Sequence, residues 1–328
     1  MKRRIINLTL IAGALALLAA CGGESELIVL VEMDEGIAHG VHADGHDHDD
    51  DHDHGHDHPT SIVDGWDLEF SEYVVHFGDV TIAKSADLSG VKILPIERII
   101  DLKRIGASEE LGMLGGLESG RWDRLSWSIA PPKEASECHA RVSQALCDQM
   151  VDGGESVYLA GTLKSPSGRS CPPGGEEREA SEIAFEFALP IAVRFTECQS
   201  AGGEGVGLPS GGSSAIALSY HAEHLLFNAF AEGQREIRLR AQYLANADLD
   251  GDGKITIEEL RTIKESDFEA LFTNCSEDHS LVSFSEGYSL SGAINEPLET
   301  LEDYLIAHLM TQGHVDGEHE CAALPLEP

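Results

Sequence analysis

Apolar and polar residues alternate with a period of two through most of the region from residue 62 to residue 220. Such alternation is typical of antiparallel strands that are buried on one face. Segments rich in glycine and proline, at 112–120, 165–175 and 201–213, separate the alternating stretches. The pattern therefore predicts a β-sandwich or barrel. Within it, the alternation from Ile183 to Phe195 predicts either one long strand or a hairpin interrupted at Pro190.

After residue 220 the apolar spacing changes to three or four positions, which is typical of helices. We expect a helix on either side of residues 248–256, a short helix from Ser266 to about Asn274, and an amphipathic helix over residues 297–312. The predicted fold class is α+β, with an antiparallel β-sandwich or barrel over residues 61–220 and a small helical module over 221–328. The apolar positions of the first two helices are Ile237, Ala241, Leu244 and Ala245, then Ile257, Leu260 and Ile263.

The chain begins with a basic segment, an apolar stretch and the string Leu-Ala-Ala-Cys that ends at Cys21. This order is typical of a secretory signal peptide, and the string resembles the lipobox of bacterial lipoproteins. The resemblance implies removal of residues 1–20 and lipidation of Cys21. Gly22 at the next position implies export to the outer membrane, so we expect a lipid-anchored protein of the bacterial cell envelope. Gly120-Arg121-Trp122 resembles a signature of small, uncharacterised lipid-anchored β-sandwich proteins, which implies a fold but no activity.

Composition narrows the class of partner. The chain has 58 Asp and Glu against 22 Lys and Arg, a formal net charge of −36. Such a charge repels phosphate backbones, so nucleic-acid binding is excluded and cations are the expected partners. After residue 20 no apolar run approaches the length of a membrane span, so we expect membrane contact through the lipid alone. A protein or sugar partner is left open.

Residues 39–58 contain eight histidines and seven aspartates and no apolar periodicity. We therefore predict a disordered tether over residues 21–60. Imidazole binds zinc, copper and nickel, so the tether is predicted to capture a transition metal such as zinc through many equivalent sites. The alternative is a solvated spacer that holds the domain away from the lipid. The histidines are His39, His42, His46, His48, His52, His54, His56 and His58.

Residues 248–259 read Asp-Leu-Asp-Gly-Asp-Gly-Lys-Ile-Thr-Ile-Glu-Glu and match the twelve-residue EF-hand calcium loop. Calcium takes six to eight oxygen ligands, and Gly253 permits the sharp turn of the loop. Thr256 and Glu259 also have the spacing of a helix capping box. The chain resembles the EF-hand family only over this loop and its flanks. The resemblance implies that calcium is bound by side chains of Asp248, Asp250, Asp252, Thr256 and Glu259 and by the backbone carbonyl of Lys254.

The sequence contains no second Asp-x-Asp-x-Asp-Gly string, although EF-hands usually occur in pairs. Ile255 occupies the apolar position that faces a partner loop in that family. We expect calcium to stabilise the fold, and a calcium sensor is the alternative.

His221 and His224 lie three residues apart, which places both on one face of a helix. Together with His314 and His319 they are candidate ligands for a transition metal. The alternative is that these histidines serve capping and packing. The spacing is not His-Glu-x-x-His, so the metalloprotease pattern is not met.

Six cysteines remain when Cys21 is assigned to lipid, and an even number in an oxidising compartment predicts three disulfides. Sequence proximity favours Cys138–Cys147, Cys171–Cys198 and Cys275–Cys321.

The sequence contains no recognisable nucleophile or nucleotide-binding motif, so we expect a metal-binding protein and not an enzyme. Calcium is the expected cofactor, with zinc or another transition metal as a second. Two alternatives stay open. One is a metal-dependent hydrolase that uses His221 and His224, and the other is a calcium-stabilised structural or adhesive surface module.

Overall fold

The computed structural model describes residues 23–43, 61–200, 203–227, 238–275, 298–317 and 319–326. Across these residues no helix is both long enough and apolar enough to cross a membrane. The described residues form mostly β-structure. Their strands are β1 Ser25–Glu32, β2 Asp67–Lys84, β3 Asp87–Asp101, β4 Ser108–Leu117, β5 Gly120–Trp122, β6 Arg124–Ile129, β7 Glu137–Cys138, β8 Val157–Lys164, β9 Arg169–Ser170, β10 Arg178–Glu179, β11 Glu182–Leu189, β12 Val193–Thr196, β13 Gln199–Ser200, β14 Gly203–Glu204, β15 Val206–Leu208, β16 Ser213–Tyr220, β17 Lys254–Ile255, β18 Gly313–Val315, β19 His319–Glu320 and β20 Ala322–Pro325.

Six α-helices and three 3₁₀ turns accompany the strands in the described ranges. Most are short, and the longest is α2, which a Ser143 side chain caps. The predicted amphipathic helix over 297–312 is confirmed, because α6 lies within it. The helices are α1 Glu35–His39, α2 Gln144–Gly153, α3 Gln242–Ala245, α4 Ile257–Thr262, α5 Phe268–Thr273 and α6 Leu301–Leu309, and the 3₁₀ turns are Leu102–Arg104, Ala222–Leu226 and Glu265–Asp267.

The larger sheet is built around the long strand β2. Val74 pairs with both Asp101 and Tyr158, so β3 and β8 lie on opposite edges of β2. The second half of β2 pairs with β3 on one side and with β6 on the other. Strands β8 and β6 therefore lie one after the other along the same side of β2. Strand β11 is antiparallel to β8, and β12 is antiparallel to β6. Strands β11 and β12 therefore run in one direction, and the alternation from Ile183 to Phe195 is one strand interrupted at Pro190, not a hairpin.

The second sheet has the order β19-β18-β16-β1-β4, with β1 parallel to β16 and antiparallel to β4. The two sheets share one apolar core. Across it, the rings of Tyr73 on β2 and Tyr220 on β16 meet edge to face with centroids 5.8 Å apart. Packed sheets of alternating strands confirm the β-sandwich part of the predicted fold class.

The predicted tether over residues 21–60 is wrong for its first part. Residues 25–32 form β1 at the centre of the smaller sheet, with Leu27, Val29 and Val31 fully buried. The alternation of Glu26 to Glu32 has the period of a strand, and β1 leaves few residues between Cys21 and the fold. Residues 44–60 lie outside the described residues, but the segments that flank them meet, because the Ile62 amide donates to the His42 carbonyl at 2.9 Å. In chain order, the histidine-rich segment therefore follows β1 and does not separate it from Cys21.

The C-terminal residues do not form a separate helical module as predicted for 221–328. Strand β17 adds to the edge of the large sheet beside β11, and β20 adds beside β12. Strand β18 pairs with β16 in the smaller sheet. Short runs of two to four residues carry too little periodicity to be recognised in sequence, so these strands were not expected.

The structure contains three disulfides, as predicted, but of the predicted pairs only Cys138–Cys147 is formed. The other pairs are Cys171–Cys275 and Cys198–Cys321. Proximity in sequence misassigned them because the fold brings distant segments together. Strand β20 pairs with β12, which places Cys321 near Cys198, with their Cα atoms 4.3 Å apart.

Candidate metal sites

The loop over residues 248–259 lies between α3 and α4. The predicted capping box is confirmed at its end, where Glu259 Oε2 accepts from the Thr256 amide at 2.8 Å. The other oxygen, Glu259 Oε1, accepts from the Leu249 amide at 2.8 Å. The Glu259 carboxylate therefore joins the start of the loop to its end.

The three aspartates face the centre of the loop. Ligand oxygens of Asp248, Asp250 and Asp252 lie within 4.8 Å of one another. Asp248 accepts from the amides of Gly251 and Gly253 at 2.8 and 3.3 Å. These bonds turn the backbone inward, and both glycines have the positive φ angles, 77° and 83°, that other residues rarely adopt.

The remaining two predicted ligands lie on the same loop. Thr256 Oγ1 donates to Glu259 Oε2 at 2.9 Å, so its hydroxyl lies next to the closing carboxylate. The Lys254 ammonium points away from the aspartates and contacts Glu186 Oε2 on β11 at 2.7 Å. Because the side chain is held in that ion pair, only the backbone carbonyl of Lys254 is available as a ligand at the centre of the loop.

The apolar position of the loop contacts the large sheet. Ile255 is fully buried and pairs with Phe185 of β11, and the Gly253 carbonyl accepts from the Ala184 amide at 2.9 Å. The edge of the large sheet thus holds this part of the loop in place. No sequence signal pointed to β11 for this role.

Arg178 on β10 also contacts the loop and was missed by the sequence analysis. Its guanidinium donates to the backbone carbonyls of Asp248 and Leu249 and covers Gly251 so closely that a Cβ there would overlap it. The contact fixes the backbone at the start of the loop. It depends on tertiary packing, since 70 residues separate Arg178 from Asp248.

A second group of ligand-type side chains lies at one end of the smaller sheet. His221 Nδ1 is 2.9 Å from Glu223 Oε1 and 4.0 Å from Asp34 Oδ2. The rings of His221 and His314 have centroids 4.1 Å apart, and those of His224 and His314 are 5.3 Å apart. The structure therefore brings together three of the predicted histidines, His221, His224 and His314, and adds two carboxylates. His319 lies on β19, next to β18.

Burial and mutual charge set the protonation of this group. Burial and the nearby charge of Glu223 raise the pKa of Asp34 to about 7. Burial opposes charge on His221, but the hydrogen bond and charge of Glu223 and the charge of Asp34 raise its pKa to about 9. Burial also opposes the charge on Glu223, whose pKa is nevertheless lowered by His221 and then by His314. The protonation of each of these residues therefore depends on the others. Together the two carboxylates favour a positive charge on His221, which lies between them.

Topology explains why Asp34 joins these histidines. Strands β1 and β16 are parallel neighbours, so their carboxyl ends meet at the same edge of the sheet. Asp34 follows β1 and His221 follows β16, while β18 brings His314 opposite Ser219. Asp34 Oδ1 then accepts from the amides of Ile37 and Ala222 at 3.0 and 3.3 Å. Sequence spacing cannot reveal a pairing between strands that lie nearly 190 residues apart.

Of the histidines assigned to the tether, two belong to the fold. His39 ends α1, and His42 Nδ1 lies 3.5 Å from Asp67 Oδ1. His46, His48, His52, His54, His56 and His58 lie outside the described residues, and so does Cys21.

Comparison with known protein families, with curated proteins and with solved structures finds no match to this chain.

Proposed function

We propose that this chain is a calcium-binding protein of the bacterial cell envelope, anchored by lipid on Cys21, and that residues 248–259 hold the ion. The observation that carries the proposal is the convergence of Asp248, Asp250 and Asp252 within 4.8 Å, on a loop that Glu259 closes. Carboxylates at this density repel one another, and a divalent cation relieves that repulsion.

The attachment of the loop supports a structural role for calcium over a sensing role. Ile255 is buried against β11, and Lys254 and Arg178 tie both halves of the loop to neighbouring strands. A loop held on a sheet edge has little room for the helix opening that sensor EF-hands undergo. The affinity expected for an extracellular module, about 10⁻⁴ to 10⁻³ M, keeps such a site filled where calcium is abundant.

Calorimetric titration with calcium tests this assignment. We compare the natural chain with Glu259→Gln, which removes the closing carboxylate, and with Glu258→Gln, which removes an equal charge from the exposed neighbouring position. The natural chain and Glu258→Gln are expected to bind one calcium per chain, and Glu259→Gln to bind at least ten-fold more weakly. A flat titration of the natural chain, or equal binding by both variants, would contradict the proposal.

Capture of zinc by the histidine-rich segment is a second part of the proposal, supported by its composition. Deleting residues 44–58 should lower the number of zinc ions bound per chain while leaving calcium binding unchanged. Equal zinc uptake by the intact chain and by the chain with the deletion would contradict zinc capture by the histidine-rich segment. The hydrolase alternative gains less support, because His224 is almost fully buried and its Nδ1 lies 3.0 Å from Thr311 Oγ1.

A further inference from the structure

The group of Asp34, His221 and Glu223 fixes the tautomer of its imidazole. A backbone carbonyl can only accept a hydrogen bond, so the bond between His221 Nε2 and the Gly317 carbonyl puts the proton on Nε2. In the neutral ring, the Nδ1 lone pair then faces Glu223 Oε1 and Asp34 Oδ2. A lone pair aimed at two carboxylates needs a cation between them.

Either a proton or a metal ion can supply that cation. Imidazole nitrogens bound to metals commonly have their second nitrogen hydrogen-bonded to a backbone carbonyl or carboxylate, which fixes the tautomer. His221 has this arrangement through Gly317. The ligand atoms of Asp34, His221 and Glu223 lie within 4.8 Å of one another, a separation that one ion can bridge after small side-chain movements.

His314 packs against the ring of His221 beside this set. It is 2% exposed on β18, and its ring lies 4.1 Å from that of His221, centroid to centroid. His224 packs edge to face on His314, and its Nδ1 lies 3.0 Å from Thr311 Oγ1. His224 and His314 therefore pack around the ring of His221, and the ligand set itself consists of Asp34, His221 and Glu223.

We propose that Asp34, His221 and Glu223 bind one transition-metal ion, of which zinc is the best match. One imidazole and two carboxylates form a three-ligand set of nitrogen and oxygen, which suits tetrahedral zinc with a water as the fourth ligand, at about 2.0–2.2 Å. The charge of the ion balances the two carboxylates. The site is a folded one, independent of both the calcium loop and the histidine-rich segment.

The location gives the ion a structural task. Its ligands follow β1 and β16, so the ion connects segments nearly 190 residues apart in the chain. Binding at such a place stabilises the folded state, because the unfolded chain does not hold the three groups together.

Thermal unfolding of the whole mature chain distinguishes this site from the histidine-rich segment. The segment binds zinc whether or not the fold is intact, so zinc held there changes the unfolding temperature little. Zinc in the folded site is expected to raise it by roughly 5 °C when the ion is in large excess over its dissociation constant. Calcium is kept constant throughout.

The variants are Glu223→Gln and Asp34→Asn, with His139→Gln as the control, since His139 pairs with Glu109 elsewhere in the fold. The quantity compared is the zinc-induced shift within each variant, so a loss of basal stability does not affect the reading. Both site variants should lose most of the shift and His139→Gln should keep it. Absorption of the Co²⁺-loaded natural chain gives a second readout, expected to be the intense visible bands of a tetrahedral site.

The absence of any zinc-induced shift in the natural chain, or equal shifts in all variants, would overturn the proposal. The group is then an imidazolium held between two carboxylates. Glu259→Gln should retain the zinc effect in full, so failure of this site and failure of the calcium site are told apart.

Discussion

Asp248 differs from the other aspartates of the loop in its burial. Its side chain is 3% exposed, whereas Asp250 and Asp252 are exposed. A buried carboxylate loses hydration, and here two backbone amides compensate for part of that loss. We infer that Asp248 shapes the backbone of the loop, to which the two exposed aspartates add mainly charge.

His308 on α6 gives a prediction for pH. The side chain is 1% exposed, and burial lowers its pKa to about 3, although a hydrogen bond with the His224 backbone acts in the other direction. In the unfolded chain the pKa is about 6.5. The unfolded state therefore binds the proton between these values, and stability is lost as the pH falls from about 6.5 towards 3.

Replacing His308 by Met should remove this dependence. Between pH 8 and pH 5 the natural chain is expected to lose about 2 kcal/mol of unfolding free energy more than His308→Met loses. Urea unfolding at the two pH values measures the difference, with His139→Gln as the reference substitution. An identical pH dependence in the natural chain and His308→Met would contradict the assignment of a neutral, buried His308.

At the level of elements, the pairing of β17 with β11 attaches the calcium loop to the large sheet. Ile255 is fully buried there and pairs with Phe185. A loop that depends on this contact for its position should lose both stability and calcium affinity when the contact is removed.

Ile255→Ala tests this dependence. Truncating a fully buried isoleucine is expected to lower the unfolding free energy by about 2–5 kcal/mol, and the displaced loop should bind calcium several-fold more weakly. Val63→Ala, at a site that is 48% exposed, serves as the control and should change both quantities little. Calorimetry and urea unfolding give the two readouts. Unchanged calcium affinity in a destabilised Ile255→Ala would show that the loop holds its shape without the sheet.

The elements that sequence predicted well are those whose signal is local. Alternation located β8, β11 and β12, and the capping box of Thr256 and Glu259 follows from four consecutive residues. Strand β1 was not predicted because it lies close to the segment rich in histidine and aspartate, and the composition of that segment predicts disorder. The pairs Cys171–Cys275 and Cys198–Cys321, and the place of Asp34 beside His221, depend on contacts between distant segments. Such contacts leave no pattern in a single sequence.

At the level of the whole molecule, the two candidate metal sites belong to different sheets. The loop of residues 248–259 is on the edge of the large sheet, and the group around His221 is at the end of β1 and β16. Sites with no shared residues are expected to act additively on stability. With β1 beginning at Ser25, a lipid on Cys21 would hold the domain within about 15 Å of the membrane surface.

A crystal structure grown in calcium tests the central claim most directly. We predict one ion about 2.3–2.6 Å from side-chain oxygens of Asp248, Asp250, Asp252 and Glu259 and from the Lys254 carbonyl, with Thr256 reaching it directly or through water. The carboxylate of Glu259 should rotate from the Leu249 amide towards the ion. A loop that holds no ion at saturating calcium, or an ion bound elsewhere with this loop unchanged, would contradict the account.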